Sequence, residues 1–490
     1  MEDRAAIIKF LENCRELYII TGKAAAGSDM DKNNINLLLR EIPQVEKLIQ
    51  EEDIASFIPV IGKINVAECV RLGVNSYRDA LLSGGDADLA ALKAEIVSKL
   101  EVRSSERLQR VINCTGIIMH TNLGRAPLGE KIFDSLKENV SGYCNLEFHI
   151  PSRKRGKRGG FTEELICQMT GAGDALIVNN NASSVFLILN EFARGGETIV
   201  SRGELIQIGG GFRIPDIMNQ SGTALVEVGT TNITTLQDFR KAVNENTKMI
   251  FSAHTSNFRI EGFTEAPSLK ELASLKSESV IFVRDMGSGN LVNDWMPGNF
   301  EQTVFHEMSQ GADLVCFSGD KLLGGCQAGI IAGRKDLIAR LRKNPLMRML
   351  RVDKITYMIL QEVLLYYVNG KYEETELWGS ITQGAEAVSR RASRLIRMCG
   401  DGAKDAMNKV RTRCAYGGGS MPGVELESCG VEISVPGLSP EEVYDHFVSS
   451  TPPVIGTVRD GKFIIDLFAV HERDMKELAE AVKALVGRTG

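Results

Sequence analysis

Apolar residues recur every three or four positions through the first part of the chain, as in IPQVEKLIQEE and VSKLEVRSSERLQRVI, and glycine-bearing breaks such as LLSGGDAD separate the runs. That spacing places the apolar side chains on one stripe of a helix, so residues 41–105 are predicted to form a helical domain. From Val111 the texture changes. Short β-branched runs now alternate with helical stretches: DALIVNN before ASSVFLILNEFA, then ETIVSRG, TALVEVG, KMIFSAH, SVIFVRD, DLVCFSGD, and AGIIAG before RKDLIARLRK. Continuous apolar strands alternating with helices predict an α/β body over 106–372, a mostly parallel sheet with helices on both faces. Beyond about Tyr372 the strand signals thin out. GGGSMPGVELES, VEISV, PPVIGTVRDGKFIIDLF and the closing DMKELAEAVKALV predict a smaller α+β domain over 373–490. Residues 1–40 precede the helical domain as an extension with no assigned role.

Composition narrows the class. With 43% hydrophobic residues, the chain has the makings of large packed cores. It begins with acidic residues among its first positions and nowhere runs to about 18 uncharged apolar residues, so neither secretion nor a membrane span is expected, and the cytoplasm is the expected compartment. Its ten cysteines are scattered singly, without CxxC pairs; reduced thiols and no structural metal are the expectation. The 57 lysines and arginines against 63 acidic side chains give a net charge of −6, which is no global sign of nucleic-acid binding. Any RNA site must be local. The densest basic runs are Arg153 to Arg158 and the stretch between Arg334 and Lys354, and on charge alone each reads as a solvated face.

The most informative segment is DLVCFSGDKLLGGCQAGII, an apolar run that ends in a Ser-Gly-Asp-Lys turn. A lone lysine at a strand end is usually a solvent-facing charge. Lys321, however, follows by 36 residues an aspartate, Asp285, that ends the strand SVIFVRD at the same edge of an open α/β sheet, where ligands bind. A carboxylate there can cap a turn. Together the two groups are what pyridoxal phosphate (PLP) requires: an acid to keep the pyridine nitrogen protonated and an amine to form the imine. NNNASSVFLILNEFA adds a strand end at Asn179 to Asn181 running into a helix begun by Ala182 to Ser184, where free backbone N–H groups would face a phosphate. The same asparagines also suit a plain helix cap. Ser318, three residues before Lys321, is a candidate hydroxyl donor to that phosphate.

The set INCTGIIMHTNLGRAPL, NNNASSV, SRGELIQIGGGFRIPDIM, VGTTN, HTSNFRIEGFTE, DMGSGNLV, FSGDKLLGGCQAGII and PLMRMLRVDK resembles the bacterial selenocysteine synthases, the L-seryl-tRNA(Sec) selenium transferases, continuously from about Ile42 to near the C-terminus. The resemblance implies the PLP-dependent fold type I of aspartate aminotransferase, a homodecamer of five dimers, and an N-terminal domain that holds selenocysteine tRNA. It implies Lys321 and Asp285 as the catalytic, cofactor-binding pair, Asn181, Ala182 and Ser183 as the phosphate seat, and Arg125, Arg348 and Arg351 as the clamp for selenophosphate. Guanidinium groups grip tetrahedral oxyanions bidentately, which fits that role; surface salt bridging is the alternative. The reaction implied converts seryl-tRNA(Sec) to selenocysteyl-tRNA(Sec) through a PLP-bound aminoacrylyl-tRNA. His254 is a candidate acid for the departing hydroxyl, and equally a structural histidine. Departures from the family pattern include Cys326 in place of a common proline, Gln207 in place of glutamate, and Arg284 before Asp285.

Two rival readings remain open on sequence. Relatives of the fold act as lyases on small amino acids or amino sugars without RNA, and the helical N-terminal domain argues against that reading here. A non-catalytic RNA-binding or scaffold protein could also retain the fold, although Lys321 and Asp285 are intact. For tRNA contact within the acidic N-terminal domain the candidates are Lys47, Lys63, Arg71 and Arg78.

Overall fold

The structure, a computed structural model, describes residues 39–83, 88–208, 211–254, 258–292 and 301–487; the 1–38 part of the N-terminal extension lies outside them. The chain divides into two compact units, Met1–Arg110 and Val111–Gly490.

In the first unit, helix α1 (Lys63–Leu82) buries Val66, Val70, Val74, Tyr77 and Leu81, a stripe of steps of three and four. Helix α2 (Leu89–Ser105), capped by the Asp88 side chain on the Ala90 N–H, answers with Leu92, Ile96 and Leu100. The two lie close because Gly73 has no side chain: a Cβ there would stand 2.6 Å from Ile96 Cγ1. Burying each such aliphatic side chain contributes roughly 1.5–3 kcal/mol, so the unit has a core of its own. Lys47, Lys63, Arg71 and Arg78 are all exposed.

In the second unit, β1 (Ile117–Met119) precedes the seven strands of the main sheet. These are β2 (Asp174–Val178), β3 (Glu197–Ser201), β4 (Ala224–Val228), β5 (Thr247–Ala253), β6 (Ile281–Gly287), β7 (Leu314–Ser318) and β8 (Gly329–Gly333). They lie in the order β2-β8-β7-β6-β5-β3-β4, with β8 alone antiparallel to its neighbours. The strands read as continuous apolar runs because both faces are covered. Ile177, Ile250, Phe282, Val315 and Ile330 join one core; their chain neighbours Val178, Phe251, Val283, Cys316 and Ile331 join the other. Helix α3 (Asn181–Phe192) follows β2 directly and packs on the second face.

Further along, α4 (Lys354–Val368) and α5 (Gly384–Cys399) lead to a second sheet of β9 (Met407–Gly417), β10 (Glu425–Ile433), β11 (Thr457–Arg459) and β12 (Lys462–Asp466). Its order is β11-β12-β10-β9-β1, so the edge strand comes from far upstream, at 117–119. The closing helix α6 (Met475–Gly487) packs with α5 over this sheet. No helix among the described residues is long and apolar enough to cross a membrane.

Candidate active site

The C-terminal ends of β5, β6 and β7 meet at one edge of the main sheet. Asp285 near the end of β6 stands in register with Ala253 of β5 and Cys316 of β7. Lys321 lies three residues past β7 and is 7% exposed. Burial lowers the affinity of its amine for a proton, while Asp285 opposes that shift and Arg125 reinforces it. Burial likewise raises the Asp285 carboxyl, against the Asn181 amide, Lys321 and Arg284. The Asn181 Nδ2 donates to Asp285 Oδ1 at 2.7 Å, and the His254 N–H donates to the Asp285 carbonyl at 2.8 Å.

The turn from β2 into α3 is a helix cap. The side chain of Asn180 accepts from the Ser183 N–H at 2.9 Å, so that N–H is already occupied. Helix geometry leaves the N–H groups of Asn181 and Ala182 without intrahelical acceptors, and the positive end of the α3 dipole falls on them. Of the predicted seat, Ser183 is thus committed to the cap, and the Asn181 side chain reaches Asp285 while its backbone faces outward from the helix start. Ser318 pairs in the ladder with Gly329. A Cβ on Gly329 would lie 2.1 Å from the Asn180 carbonyl oxygen and 2.4 Å from Ser184 Oγ, so this close approach of β8 to the turn demands glycine.

PLP fits these residues. Asn181 Oδ1, Ser184 Oγ and His254 Nδ1 are buried with no partner among the described residues, an expensive arrangement unless a polar ligand meets them. With buried Lys321, half-buried Asp285 and the N-terminus of α3, they make up the donor and acceptor set that the cofactor's phosphate and ring need.

The arginines divide. Arg125 adopts φ 65°, a left-handed conformation that costs a non-glycine residue on the order of 1 kcal/mol. That turn carries its guanidinium to both carboxylate oxygens of buried Asp320, at 2.9 and 3.1 Å, next to Lys321. Arg348 lies exposed on the short helix Met347–Leu350. Arg351 forms a β-bridge with Val178, and the Leu350 carbonyl accepts from the Asn179 N–H at 2.9 Å, which sets this segment against the turn from β2 into α3. Among the described residues no hydrogen bond or ion pair joins the Arg348 or Arg351 side chain to Arg125 or Lys321. The run Arg153 to Arg158 is largely spent within the chain: Arg155 and Arg158 pair with Glu147, and Lys157 with Glu163 and Asp174.

The family SelA, L-seryl-tRNA selenium transferase, matches residues 111–471. The chain is 38% identical over 452 residues to the L-seryl-tRNA(Sec) selenium transferase of Aquifex aeolicus, covering 92% of this chain and 99% of the relative. It is 40% identical over 462 residues to that of Carboxydothermus hydrogenoformans, covering 92% and 98%. The chain belongs to the L-seryl-tRNA selenium transferase family. Among solved structures it is similar to D-glucosaminate-6-phosphate ammonia-lyase, at TM-score 0.55 and 17% identity over 78% of this chain and 96% of that one, a likeness of fold.

Within this selenium-transferase chain, the departures from the family pattern have local explanations. Arg284 points to the face of β6 opposite Asp285, where it pairs with Glu307 at 2.7 Å and donates to Ser252 at 2.8 Å. Gln207 accepts from Arg213 at 2.7 Å. His254 is pushed down to about 4 by burial and by the charges of Arg284 and Lys321, so it is neutral at pH 7 and carries a single ring proton. Sequence reasoning missed Asp320 as the partner of Arg125, although an acid beside the lysine was in plain view. It also missed the pins under the lysine loop. Tyr367 donates to the Leu323 carbonyl at 2.8 Å and Trp378 Nε1 to the Leu322 carbonyl at 3.0 Å; nothing local marks either aromatic as more than core.

Proposed function

We propose that the chain converts seryl-tRNA(Sec) to selenocysteyl-tRNA(Sec) with selenophosphate, with PLP joined to Lys321 and its pyridine nitrogen opposed by Asp285. The observation that carries the reading is the buried Lys321 and half-buried Asp285 at one sheet edge, with unpartnered polar atoms of Asn181, Ser184 and His254 nearby, in a chain that is 38–40% identical to selenium transferases over nearly their full length. PLP, when bound, supplies the electron sink that makes the serine α-proton acidic.

The chain's own groups do the rest. Asp285, fixed by Asn181, holds a negative charge where a protonated ring nitrogen needs one. Lys321, its proton affinity lowered by burial, is available as the base for the α-proton. The N–H groups of Asn181 and Ala182, with Ser318, hold the cofactor phosphate. Arg125, Arg348 and Arg351 bind the anionic selenium donor, and Asp320 orients Arg125 for it. The helical N-terminal unit holds the tRNA through Lys47, Lys63, Arg71 and Arg78. The assembly is a cytoplasmic homodecamer, a reading supported by family resemblance.

The test is purified protein incubated with seryl-tRNA(Sec) and selenophosphate, with the aminoacyl product identified. Selenocysteyl-tRNA is expected; unchanged seryl-tRNA with the cofactor bound would refute the reading. Lys321→Ala should fold with an unchanged melting temperature yet lose borohydride-fixable PLP. Retention of covalently fixed PLP by that variant would overturn the lysine assignment.

A further inference from the structure

One buried acid near the lysine has no role in the site so far. Glu301 is 4% exposed. The Ser288 hydroxyl donates to its Oε1, and the Asn290 amide donates to its carbonyl at 3.3 Å. Ser288 also joins this acid to the lysine loop, because its carbonyl accepts from the Leu322 N–H at 3.0 Å. The second oxygen, Oε2, is buried without a hydrogen-bond partner among the described residues and lies 4.0 Å from His254 Nε2. His254 Nδ1 is buried and unpartnered as well. The imidazole lines a pocket of about 410 Å³ at the same sheet edge, together with Ser201, Glu204, Arg259, Arg284 and Met421.

A carboxylate placed behind a histidine usually holds its tautomer and its charge. Here the order of proton affinities is reversed. Burial is the largest cause on both sides, pushing Glu301 up to about 7 and His254 down to about 4. The charged and titratable groups facing Glu301 are Glu307, which raises it further, and Arg284, which with the Ser288 hydroxyl and the Met421 N–H lowers it; Glu301 in turn acts on Lys321. Near neutral pH the pair's proton therefore resides on the carboxyl, and the imidazole is neutral.

We propose that His254 and Glu301 together protonate the departing β-hydroxyl of the seryl group, His254 touching the substrate and Glu301 storing the proton behind it. The inference rests on the function proposed above. As the Lys321 amine takes the α-proton, the Cα–H electron pair becomes the second, π bond between Cα and Cβ, and the Cβ–O pair leaves with oxygen. That oxygen takes the Nδ1 proton of His254 and departs as water; the Glu301 proton refills the imidazole at Nε2. The Lys321 ammonium and Glu301 carboxylate left behind balance in charge, His254 is left as the Nε2–H tautomer, and proton exchange with solvent restores all three. Hydroxide is a poor leaving group, so the step needs such an acid, and general acids contribute on the order of 10²–10⁴-fold. Glu301 is a positioning residue in this scheme, since it acts through His254.

The experiment compares the wild-type holoenzyme with Glu301→Gln, Glu301→Asp and His254→Gln. Each is given seryl-tRNA(Sec) in deuterated water and, separately, 3-chloroalanyl-tRNA(Sec), whose chloride leaves without a proton. Glu301→Gln and His254→Gln should retain α-hydrogen exchange and elimination of chloride but lose elimination of water by on the order of 10²-fold or more. Glu301→Asp should recover part of it, and the wild-type rate of water loss should fall as pH rises through about 7. In the cofactor-free protein, the infrared carbonyl band of a protonated carboxyl should be present below about pH 7 and missing in Glu301→Gln. Water loss within about threefold of wild type in both variants overturns the proposal, as does equal loss with the chloride substrate, which would make the role structural. Absence of α-hydrogen exchange in the wild type would instead sink the functional reading itself.

Discussion

Gly329→Ala tests the cradle most directly, because the added methyl group lands on the turn that is assigned to the phosphate. Its Cβ would sit 2.1 Å from the Asn180 carbonyl oxygen, and a carbon–oxygen contact needs about 3.1 Å, so something must move by about 1 Å. Strand β8 cannot yield easily, since it is hydrogen-bonded to β2 on one side and to β7 on the other. The Asn180 carbonyl must therefore shift, and it accepts the Ser184 N–H at 3.1 Å that begins α3. The N–H groups of Asn181 and Ala182 then lose their aim, and a 1 Å misplacement in such a site can cost on the order of 10²-fold. Overpacking itself costs about 1–3 kcal/mol of stability. Gly333→Ala is the matched control. At the other end of β8 its Cβ would lie 2.2 Å from the Asp313 carbonyl oxygen, a comparable clash remote from the cradle. Thermal melts should show both variants destabilised to a similar degree, while titration with PLP followed by absorbance shows Gly329→Ala alone weakened by about 10–100-fold. Equal cofactor affinities in the two variants would refute the assignment of this turn to the phosphate.

Three further outcomes are expected. Arg348→Ala or Arg351→Ala should leave PLP binding intact and raise the KM for selenophosphate by about tenfold or more, in keeping with the removal of one charge-assisted hydrogen bond; unchanged donor dependence in both would remove the clamp. Replacing exposed Lys63, Arg71 and Arg78 with glutamate should weaken tRNA(Sec) binding and flatten its salt dependence, by roughly one unit of slope for each phosphate no longer neutralised, with no change in melting temperature. Half-buried Glu204 is pushed up to about 7, chiefly by desolvation and against Arg284. Its ionisation therefore costs the folded state nothing below about pH 4.5, a growing amount between there and about 7, and a constant amount above. Glu204→Gln should thus stabilise the protein by about 2–3 kcal/mol in denaturant titrations at pH 8 and by little at pH 4, and the opposite pH trend would show that the carboxylate is held charged by Arg284.

What was legible in the sequence is what short-range chemistry encodes. The inner strands of the main sheet are buried on both faces, so they appear as apolar runs, and the polar residues Asp285, Ser318 and Lys321 at or just past their ends lie at the edge where the proposed site is placed. The NNNAS turn was legible as a helix start, but its division of labour was not. Three consecutive asparagines look alike in sequence; in the structure Asn180 caps α3, Asn181 reaches Asp285, and Asn179 bonds the Leu350 carbonyl. Each choice depends on a partner more than a hundred positions away or on the exact phase of the helix, neither of which a local pattern carries.

The same limit explains the arginines and the edge strand. Arg125 meets Asp320 across 195 positions, and β1 joins a sheet whose other strands begin at Met407. The run from Arg153 to Arg158 is among the densest basic segments and on charge alone reads as a solvated face; in the structure its side chains are largely neutralised by Glu147, Glu163 and Asp174. Arg348, in contrast, is exposed, and the backbone of its segment is held against the cradle by the Asn179 and Val178 contacts. A cation that the chain has already paired brings little field to an incoming anion, because its nearest carboxylate screens it at contact distance. The number of basic residues in a segment is therefore a poor guide to an anion site. The better guide is which cations, among the described residues, are left without an ion pair while their backbone is fixed; of the proposed clamp Arg348 and Arg351 meet it, whereas Arg125 is paired with Asp320.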